Sequence, residues 1–267
     1  MRIRINHETR YSYDVGVPYA LQQLRLSPQT SNGQNVITWE IALEGGQVEL
    51  TFEDQHKNHV KLASVLPDHD ELVISCIGEV ETADTAGIFG KHDGFAALWY
   101  FKRATELTKP GPHVRKILRE AKDDHENAVT MLHVLSEVIA GAVTYDTNNT
   151  HPATSCEEAL ERGHGVCQDH THIMVTAARL LDLPARYVSG YLLMDDRVEQ
   201  DAGHAWAEVY LKGLGWVGFD VSNGISPDER YVRIATGLDY KDAAPVCGVR
   251  YEEGEEAMSV HLQIQQQ

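Results

Sequence analysis

A cysteine, a histidine and an aspartate in three separate stretches of the chain have the residue types of a nucleophilic triad. Cys167 stands in GHGVCQDHTH, where a helical pattern begins. His204 starts the predicted strand HAWAEVYL, and Asp220 ends the following strand, GWVGFD. A nucleophilic cysteine needs a base to take its proton and a third group to orient that base. We therefore interpret Cys167 as the nucleophile, His204 as the base and Asp220 as the orienting carboxylate.

The sequence around Cys167 favours a reactive thiolate. Backbone N–H groups and the helix dipole at a helix N-terminus stabilise a negative charge. Gly163 and Gly165 permit a sharp bend and the close approach of a substrate backbone. The backbone N–H of Cys167 itself is predicted to donate to a developing oxyanion.

The strands that carry His204 and Asp220 are joined by the turn KGLG, which predicts a hairpin. Counted from Leu214 as the centre of that turn, His204 is ten residues away and Asp220 is six. We therefore expect a longer loop or a bulge to bring the two residues side by side. Trp206 shares one strand face with His204 and is predicted to wall the site and bind substrate, with a core role as the alternative.

Other residues near the triad carry weaker predictions. Gln168, directly after the nucleophile, and Tyr145, before the TNNT loop, are candidates for substrate binding. Tyr145 is expected either to border the cleft and donate to the oxyanion or to pack in the core. Trp216 and Glu208 are interpreted as structural residues.

A metal site is an alternative interpretation of the same stretch. His164, Cys167, His170 and His172 lie within nine residues, and His-x2-Cys-x2-His is a possible ligand spacing. The triad also uses His204 and Asp220, which a metal site would leave without a role. We therefore assign no metal ligand and expect the three histidines at the surface or behind the site.

Composition limits the class of protein and its partners. The chain has 267 residues with 42% hydrophobic and 24% charged residues, as in ordinary soluble globular proteins. The net charge of -17 disfavours nucleic acid and anionic membrane surfaces as partners. With neither a signal-peptide pattern nor a long apolar run, a cytoplasmic location is expected. No GxGxxG or GxxxxGK[ST] motif occurs, so no cofactor is expected.

The other cysteines, Cys76, Cys156 and Cys247, are predicted to be reduced packing residues. A regulatory disulfide between Cys156 and Cys167, eleven residues apart, is left open.

The pattern of elements predicts an α+β protein. Alternating runs in the first third, among them 36–43, 59–65 and 71–82, predict an antiparallel β-sheet or sandwich. Helical periodicity follows at 113–122, 125–141 and 156–162, and then at the helix that begins at Cys167. The predicted organisation is a β-rich N-terminal domain over 1–85, a connecting segment over 86–112 and a catalytic domain over 113–267.

Three separated blocks, GHGVCQDHTH, GHAWAEVYLKGLGWVGFDVSNG and RYVRIATGLDYKDAAPV, resemble the transglutaminase-like superfamily in its bacterial cysteine peptidase-type branch. YSYDVGVPYALQQLRLSP and QNVITWEI resemble the β-rich N-terminal region of that branch. The resemblance implies a Cys–His–Asp triad on a papain-like core, a nucleophile helix packed on an antiparallel sheet. Carried over, the triad is Cys167, His204 and Asp220.

The chain departs from the family pattern in three places. Val221 replaces a usual proline. His56 and Lys57 replace an aromatic–glycine pair before Asn58. Glu252 and Glu253 replace glycines before the last strand and add negative charge to that loop.

The predicted function is that of a cysteine-dependent amide hydrolase, a peptidase or isopeptidase acting on a peptide or protein amide through an acyl-enzyme. A transglutaminase or other acyltransferase with the same triad is one alternative. A non-catalytic scaffold or a His/Cys metal-binding protein is another. The sequence does not determine the oligomeric state.

Overall fold

The computed structural model describes residues 1–13, 19–67, 69–121, 126–147, 150–200, 202–251 and 256–267. Glu252 and Glu253 lie outside these ranges. The α-helices are α1 (Pro112–Glu120), α2 (Ala128–Ala142), α3 (Cys156–Arg162), α4 (Cys167–Leu180) and α5 (Tyr240–Ala243), with a 3-10 helix at Leu98–Lys102. The strands are β1 (Arg2–Tyr13), β2 (Tyr19–Ser27), β3 (Gln34–Glu44), β4 (Gly46–Glu53), β5 (His59–Val65), β6 (Glu71–Thr82), β7 (Ile88–Gly90), β8 (Thr144–Tyr145), β9 (His164–Gly165), β10 (Ala185–Leu192), β11 (Glu199–Gln200), β12 (His204–Leu211), β13 (Gly215–Phe219), β14 (Tyr231–Gly237), β15 (Val246–Tyr251) and β16 (Glu256–Gln266).

Two antiparallel sheets form the N-terminal β unit. One has the strand order β11-β16-β1-β6-β3 and the other has the order β15-β2-β5-β4. Strand β1 buries every second side chain from Ile3 to Tyr13, which is the pattern of a sheet with one face on a core. Leu24, Leu26 and Leu72 belong to the apolar cluster of this unit.

The last two strands belong to this N-terminal unit rather than to the core. Strand β16 pairs with β1 along eleven residues, and β15 pairs with β2. The segment predicted as one catalytic domain, 113–267, therefore contributes three strands, β11, β15 and β16, to the sheets of the first third. Pairing of this kind satisfies backbone groups at the edges of β1 and β2 that would otherwise lack partners.

The core consists of helices packed on a third sheet, with strand order β14-β10-β12-β13-β7. Helix α4 is buried from Asp169 to Arg179 and packs on β12 and β10. Strands β10 and β13 are buried along their whole length, as expected for strands covered on both faces. Strand β7, from the predicted connecting segment, forms one edge of this sheet.

The N-terminal unit covers the opposite edge, β14, with amide side chains. Asn58 accepts from the Thr236 N–H and donates to the Thr236 carbonyl, both at 2.8 Å. Its neighbour Lys57 has a φ of 65°, in the left-handed region that glycine adopts most easily. This conformation favours glycine at position 57.

The periodicity of the sequence does not predict β2 or β14. In β2 the buried face carries Gln22 beside Ala20 and Leu24, and the other face carries Leu21, so polar and apolar residues do not alternate. Among the described residues, none of the helices is long and apolar enough to cross a membrane.

Candidate active site

Cys167 is the first residue of α4, and its side chain is partly exposed. The carboxylate of Asp169 fixes this helix start by accepting from the Val166 N–H at 2.8 Å and from the Thr150 hydroxyl at 2.7 Å. A Cβ at Gly165 would lie 2.7 Å from that carboxylate, so glycine is required for the close approach. Gly163 ends α3 with a φ of 71°. The two glycines therefore shape the backbone that leads to Cys167.

His204 and Asp220 meet across the β12–β13 hairpin. The Asp220 Oδ2 lies 2.6 Å from the His204 Nε2. Leu211 pairs with Gly215 and Ala207 with Phe219, so the turn is centred on Gly213 rather than on Leu214. Continuing this register puts Asp220 opposite position 206, which makes His204 its diagonal neighbour on the same face. The expectation of a longer loop or bulge was therefore wrong, because the diagonal contact spans the offset.

Asp220 is held by donors on both of its carboxylate oxygens. Oδ1 accepts from the backbone N–H of Ser222 at 3.0 Å and of Asn223 at 3.3 Å. Oδ2 accepts from the Asn223 amide and the Tyr231 hydroxyl, each at 2.7 Å. Burial opposes the charge, but His204, Asn223 and Tyr231 outweigh it and lower the pKa of Asp220. The carboxylate is therefore kept ionised and fixed in orientation.

His204 links this carboxylate to the thiol. Its Nε2 bonds to Asp220, and the Cys167 side chain lies near the imidazole. Burial by itself would lower the pKa of His204, but the interactions of the imidazole with Asp220 and Cys167 raise it to about 10. The cluster can therefore hold a protonated imidazole between a carboxylate and a thiolate, which is the ion pair that a cysteine nucleophile requires.

Tyr145 lies beside the thiol, at the position where β8 pairs with Gly165 of β9. Its ring is about half exposed and packs near His170. Burial, the charges of Cys167 and Asp220 and a hydrogen bond to Cys167 together raise the pKa of Tyr145 to about 12. The hydroxyl therefore stays protonated and is able to donate.

A cleft of about 370 Å³ opens on the His204 side of the cluster. Tyr145 lies on its wall, together with Asn223 and Ser222 from the loop after Asp220. The segment between β10 and β12 also lines the cleft, through Met194, Arg197, Gln200 and Gly203. His204 therefore faces a space large enough for a few residues of a peptide.

Trp206 does not line this cleft. The side chain is fully buried, and its ring stacks behind His204 with a centroid distance of 6.4 Å. The predicted substrate-binding role of Trp206 is wrong, because the indole has no surface to offer. Gln168 donates its side-chain amide to the Pro152 carbonyl at 3.1 Å, and its substrate-binding role stays a prediction.

The histidines of the possible metal site have other partners. His170 bonds to the Val143 carbonyl and the Ser222 hydroxyl, both at 2.9 Å, and His172 accepts from the Tyr240 N–H at 3.1 Å. His170 and His172 are buried, as expected for residues behind the site rather than at the surface, while His164 is partly exposed. In the part of the chain that the structure describes, no three His, Cys, Asp or Glu side chains form a metal-binding group.

The remaining three cysteines differ in their burial. Cys76 and Cys156 are buried, and burial raises their pKa to about 12 and about 11, respectively. Cys247 is exposed, so the packing interpretation fails for it. Glu208 is buried against Arg186, whose guanidinium lies over the Trp216 ring at 4.0 Å, as expected of structural residues.

Sequence reasoning missed Asn223 and Tyr231 as partners of Asp220. Asn223 lies in the run DVSNG, three residues after Asp220. Tyr231 begins β14, whose position beside the triad depends on the pairing of β10 with β14. Nothing in the spacing of Asp220 and Tyr231 along the chain indicates a contact between them.

A nucleophile helix on an antiparallel sheet, with a Cys–His–Asp cluster at one end, defines a papain-like α+β class. Residues 114–221 match the model of the transglutaminase-like superfamily core, and residues 3–81 match the bacterial transglutaminase-like N-terminal region. The protein therefore has a transglutaminase-like superfamily core joined to a bacterial transglutaminase-like N-terminal region.

Curated relatives match almost the full chain. The uncharacterized protein ML0607 of Mycobacterium leprae is 24% identical over 98% of this chain and 98% of its own length. The uncharacterized protein Rv2569c of Mycobacterium tuberculosis is 27% identical over 96% of this chain and 90% of its own length.

A solved structure shares the fold. The crystal structure of "a Putative Cysteine Protease from Cytophaga hutchinsonii" has a TM-score of 0.78 and 20% identity, and it covers 99% of this chain and 90% of that protein. At this identity the similarity establishes the fold alone.

Proposed function

We propose that this protein is a cysteine-dependent amide hydrolase, a peptidase or isopeptidase that works through an acyl-enzyme on Cys167. The observation that carries the proposal is the contact between His204 Nε2 and Asp220 Oδ2 at 2.6 Å, in a histidine whose pKa both Asp220 and Cys167 raise. A carboxylate on one side of the imidazole and a thiol on the other is the arrangement that activates a nucleophilic cysteine.

The reaction begins with attack of the Cys167 thiolate on an amide carbonyl carbon. The negative charge on the carbonyl oxygen is stabilised by the backbone N–H of Cys167 at the start of α4 and by the Tyr145 hydroxyl. The His204 imidazolium then gives its proton to the nitrogen of the leaving amine as the C–N bond breaks. The products of this half of the reaction are a free amine and a thioester on Cys167.

Water completes the cycle. Neutral His204 takes a proton from water, the resulting hydroxide attacks the thioester, and the C–S bond breaks to release a carboxylic acid and the thiolate. Asp220 keeps its charge throughout and holds the imidazole in orientation. Cys167 is partly exposed and His204 lines an open cleft, which supports water as the acceptor of the acyl group.

The first test is alkylation by limiting iodoacetamide near pH 6, with each cysteine followed by mass spectrometry. We expect rapid modification of Cys167 and slow modification of buried Cys76 and Cys156. His204→Ala should abolish the rapid reaction, whereas His261→Ala, at an exposed histidine far along β16, should leave it unchanged. Reaction of Cys167 no faster than that of exposed Cys247 would contradict an activated thiolate.

The second test separates hydrolysis from acyl transfer. Peptides and isopeptides are incubated with wild type and with Cys167→Ala, with and without a primary amine. Cys167-dependent cleavage supports the hydrolase. Amine incorporation without any cleavage would support the transglutaminase alternative instead.

A further inference from the structure

Tyr231 contacts the same carboxylate oxygen as the base. Its hydroxyl donates to the Asp220 Oδ2 at 2.7 Å, and that oxygen also receives the His204 Nε2. The ring is buried and packs edge-on against Trp206 at 5.4 Å and near His204 at 5.9 Å. The hydroxyl therefore has a defined direction, set by packing on two sides.

The face on which Tyr231 lies depends on a bulge in β14. Ala235 pairs with Ser189, but Arg233 pairs with Gly190, so Ile234 is the extra residue. A one-residue shift moves every following side chain to the other face of a strand. Without this bulge, the Tyr231 side chain would lie on the face away from Asp220.

Contacts from the N-terminal β unit hold β14 on both sides of the bulge. Before it, the Gln34 amide accepts from the Arg233 N–H at 2.8 Å and donates to the Arg233 carbonyl at 2.9 Å. After it, Asn58 makes the same pair of bonds with Thr236. The Thr82 hydroxyl also donates to the Glu229 carbonyl, two residues before Tyr231.

We infer that Tyr231 is a positioning residue for the Asp220–His204 pair, and that Gln34 of the N-terminal β unit keeps it in place by fixing the bulged edge of the core sheet. The N-terminal β unit then supports the catalytic site by fixing β14, without contacting the substrate. This inference rests on the proposed function of Cys167, His204 and Asp220.

The inference has a defined pH signature. Loss of the Tyr231 hydroxyl removes one donor that favours the charged form of Asp220, so the pKa of Asp220 rises. The pKa values of His204, His170 and Tyr145 also depend on this charge, and loss of the Tyr231 hydroxyl leaves these three side chains in place. A less firmly charged Asp220 stabilises imidazolium less, so the acid limb of the Cys167 alkylation rate moves to higher pH.

The experiment compares Tyr231→Phe with wild type in the rate of Cys167 alkylation from pH 4 to pH 9. Phenylalanine keeps the ring packing, and equal melting temperatures verify the fold. We expect the rate at pH 6 to fall by about tenfold, as for loss of a hydrogen bond to a charged group, and the acid limb to move to higher pH. Tyr210→Phe, on β12 away from Asp220, is the matched control and should match wild type.

The part played by Gln34 is tested by a double-mutant cycle. Gln34→Ala alone should slow alkylation and move the acid limb in the same direction, whereas exposed Asn35→Ala should not. In the Tyr231→Phe background, Gln34→Ala should add little, because its effect passes through the missing hydroxyl. Additive effects would overturn the role of Gln34.

The outcomes separate this inference from the proposed function. If Cys167 in wild type is not selectively alkylated, the proposed function fails first. If wild type is selectively alkylated but Tyr231→Phe has the rate and acid limb of Tyr210→Phe, the triad stands and the inference is overturned.

Discussion

Asp220 lies diagonally across the β12–β13 hairpin from His204, with its Oδ2 2.6 Å from the histidine Nε2. The two side chains share a face because the hairpin register places Asp220 opposite Trp206, two residues from the histidine. The buried carboxylate has five hydrogen-bond donors, of which His204 is one. Its charge and direction are therefore fixed before any substrate binds.

Replacement of Asp220 by asparagine should show how far amide turnover depends on the negative charge of this side chain rather than on its shape. Asp220→Asn keeps an oxygen for the N–H groups of Ser222 and Asn223 but removes the charge that stabilises imidazolium. We expect amide turnover to fall by a factor on the order of 10⁴, as when the orienting carboxylate of a nucleophilic triad is neutralised. Steady-state kinetics on a substrate found in the panel would measure it. Asp228→Asn, at a carboxylate paired with Arg230 on the surface, is the control; equal activity of the two variants would contradict the triad.

Tyr145→Phe should affect turnover more than thiol reactivity. The hydroxyl bonds to Cys167 in the free protein, and in the proposed intermediate it donates to the oxyanion. Loss of an oxyanion donor typically lowers kcat by about 10²–10³, whereas iodoacetamide alkylation has no oxyanion to stabilise. The measurement is the ratio of the fold loss in kcat to the fold loss in the alkylation rate of Cys167. Equal losses in both reactions would assign the hydroxyl to the thiol alone.

Trp206→Phe should reduce stability and leave substrate affinity unchanged. The indole is fully buried behind His204, so the smaller ring leaves a cavity and costs roughly 1–3 kcal/mol of unfolding free energy. Urea denaturation gives the stability, and KM gives the substrate interaction. A KM several-fold higher at unchanged stability would restore the substrate-binding role.

The contribution of the His204 side chain to stability should depend on pH. The pKa of His204 is about 10 in the folded protein, raised from about 6.5 in the unfolded chain. A group whose pKa is raised on folding stabilises fully below the unfolded pKa, and this stabilisation is lost as pH rises through the folded pKa. The loss of unfolding free energy in His204→Gln should therefore be larger at pH 6 than at pH 10. An equal loss of unfolding free energy at pH 6 and at pH 10 would show that the histidine is neutral in the folded protein.

Local patterns were sufficient for many of the elements. Strands 59–65 and 71–82 and the helix at 156–162 coincide with their predicted limits, because alternation, helical periodicity and the capping Ser155–Glu158 pair are all local signals. The position of Cys167 at a helix start is local as well, since glycines precede it and an apolar helical repeat follows.

Long-range pairing decided the rest, because it depends on residues far apart in the chain. The return of β15 and β16 to the N-terminal sheets and the burial of Trp206 cannot be derived from neighbouring residues. The sequence by itself determined which side chains could act as nucleophile, base and orienting acid. Only the tertiary structure decided that a bulged edge strand, supported by Gln34 and Asn58, brings the Tyr231 hydroxyl to Asp220, because a backbone edge is completed by partners that no local pattern specifies.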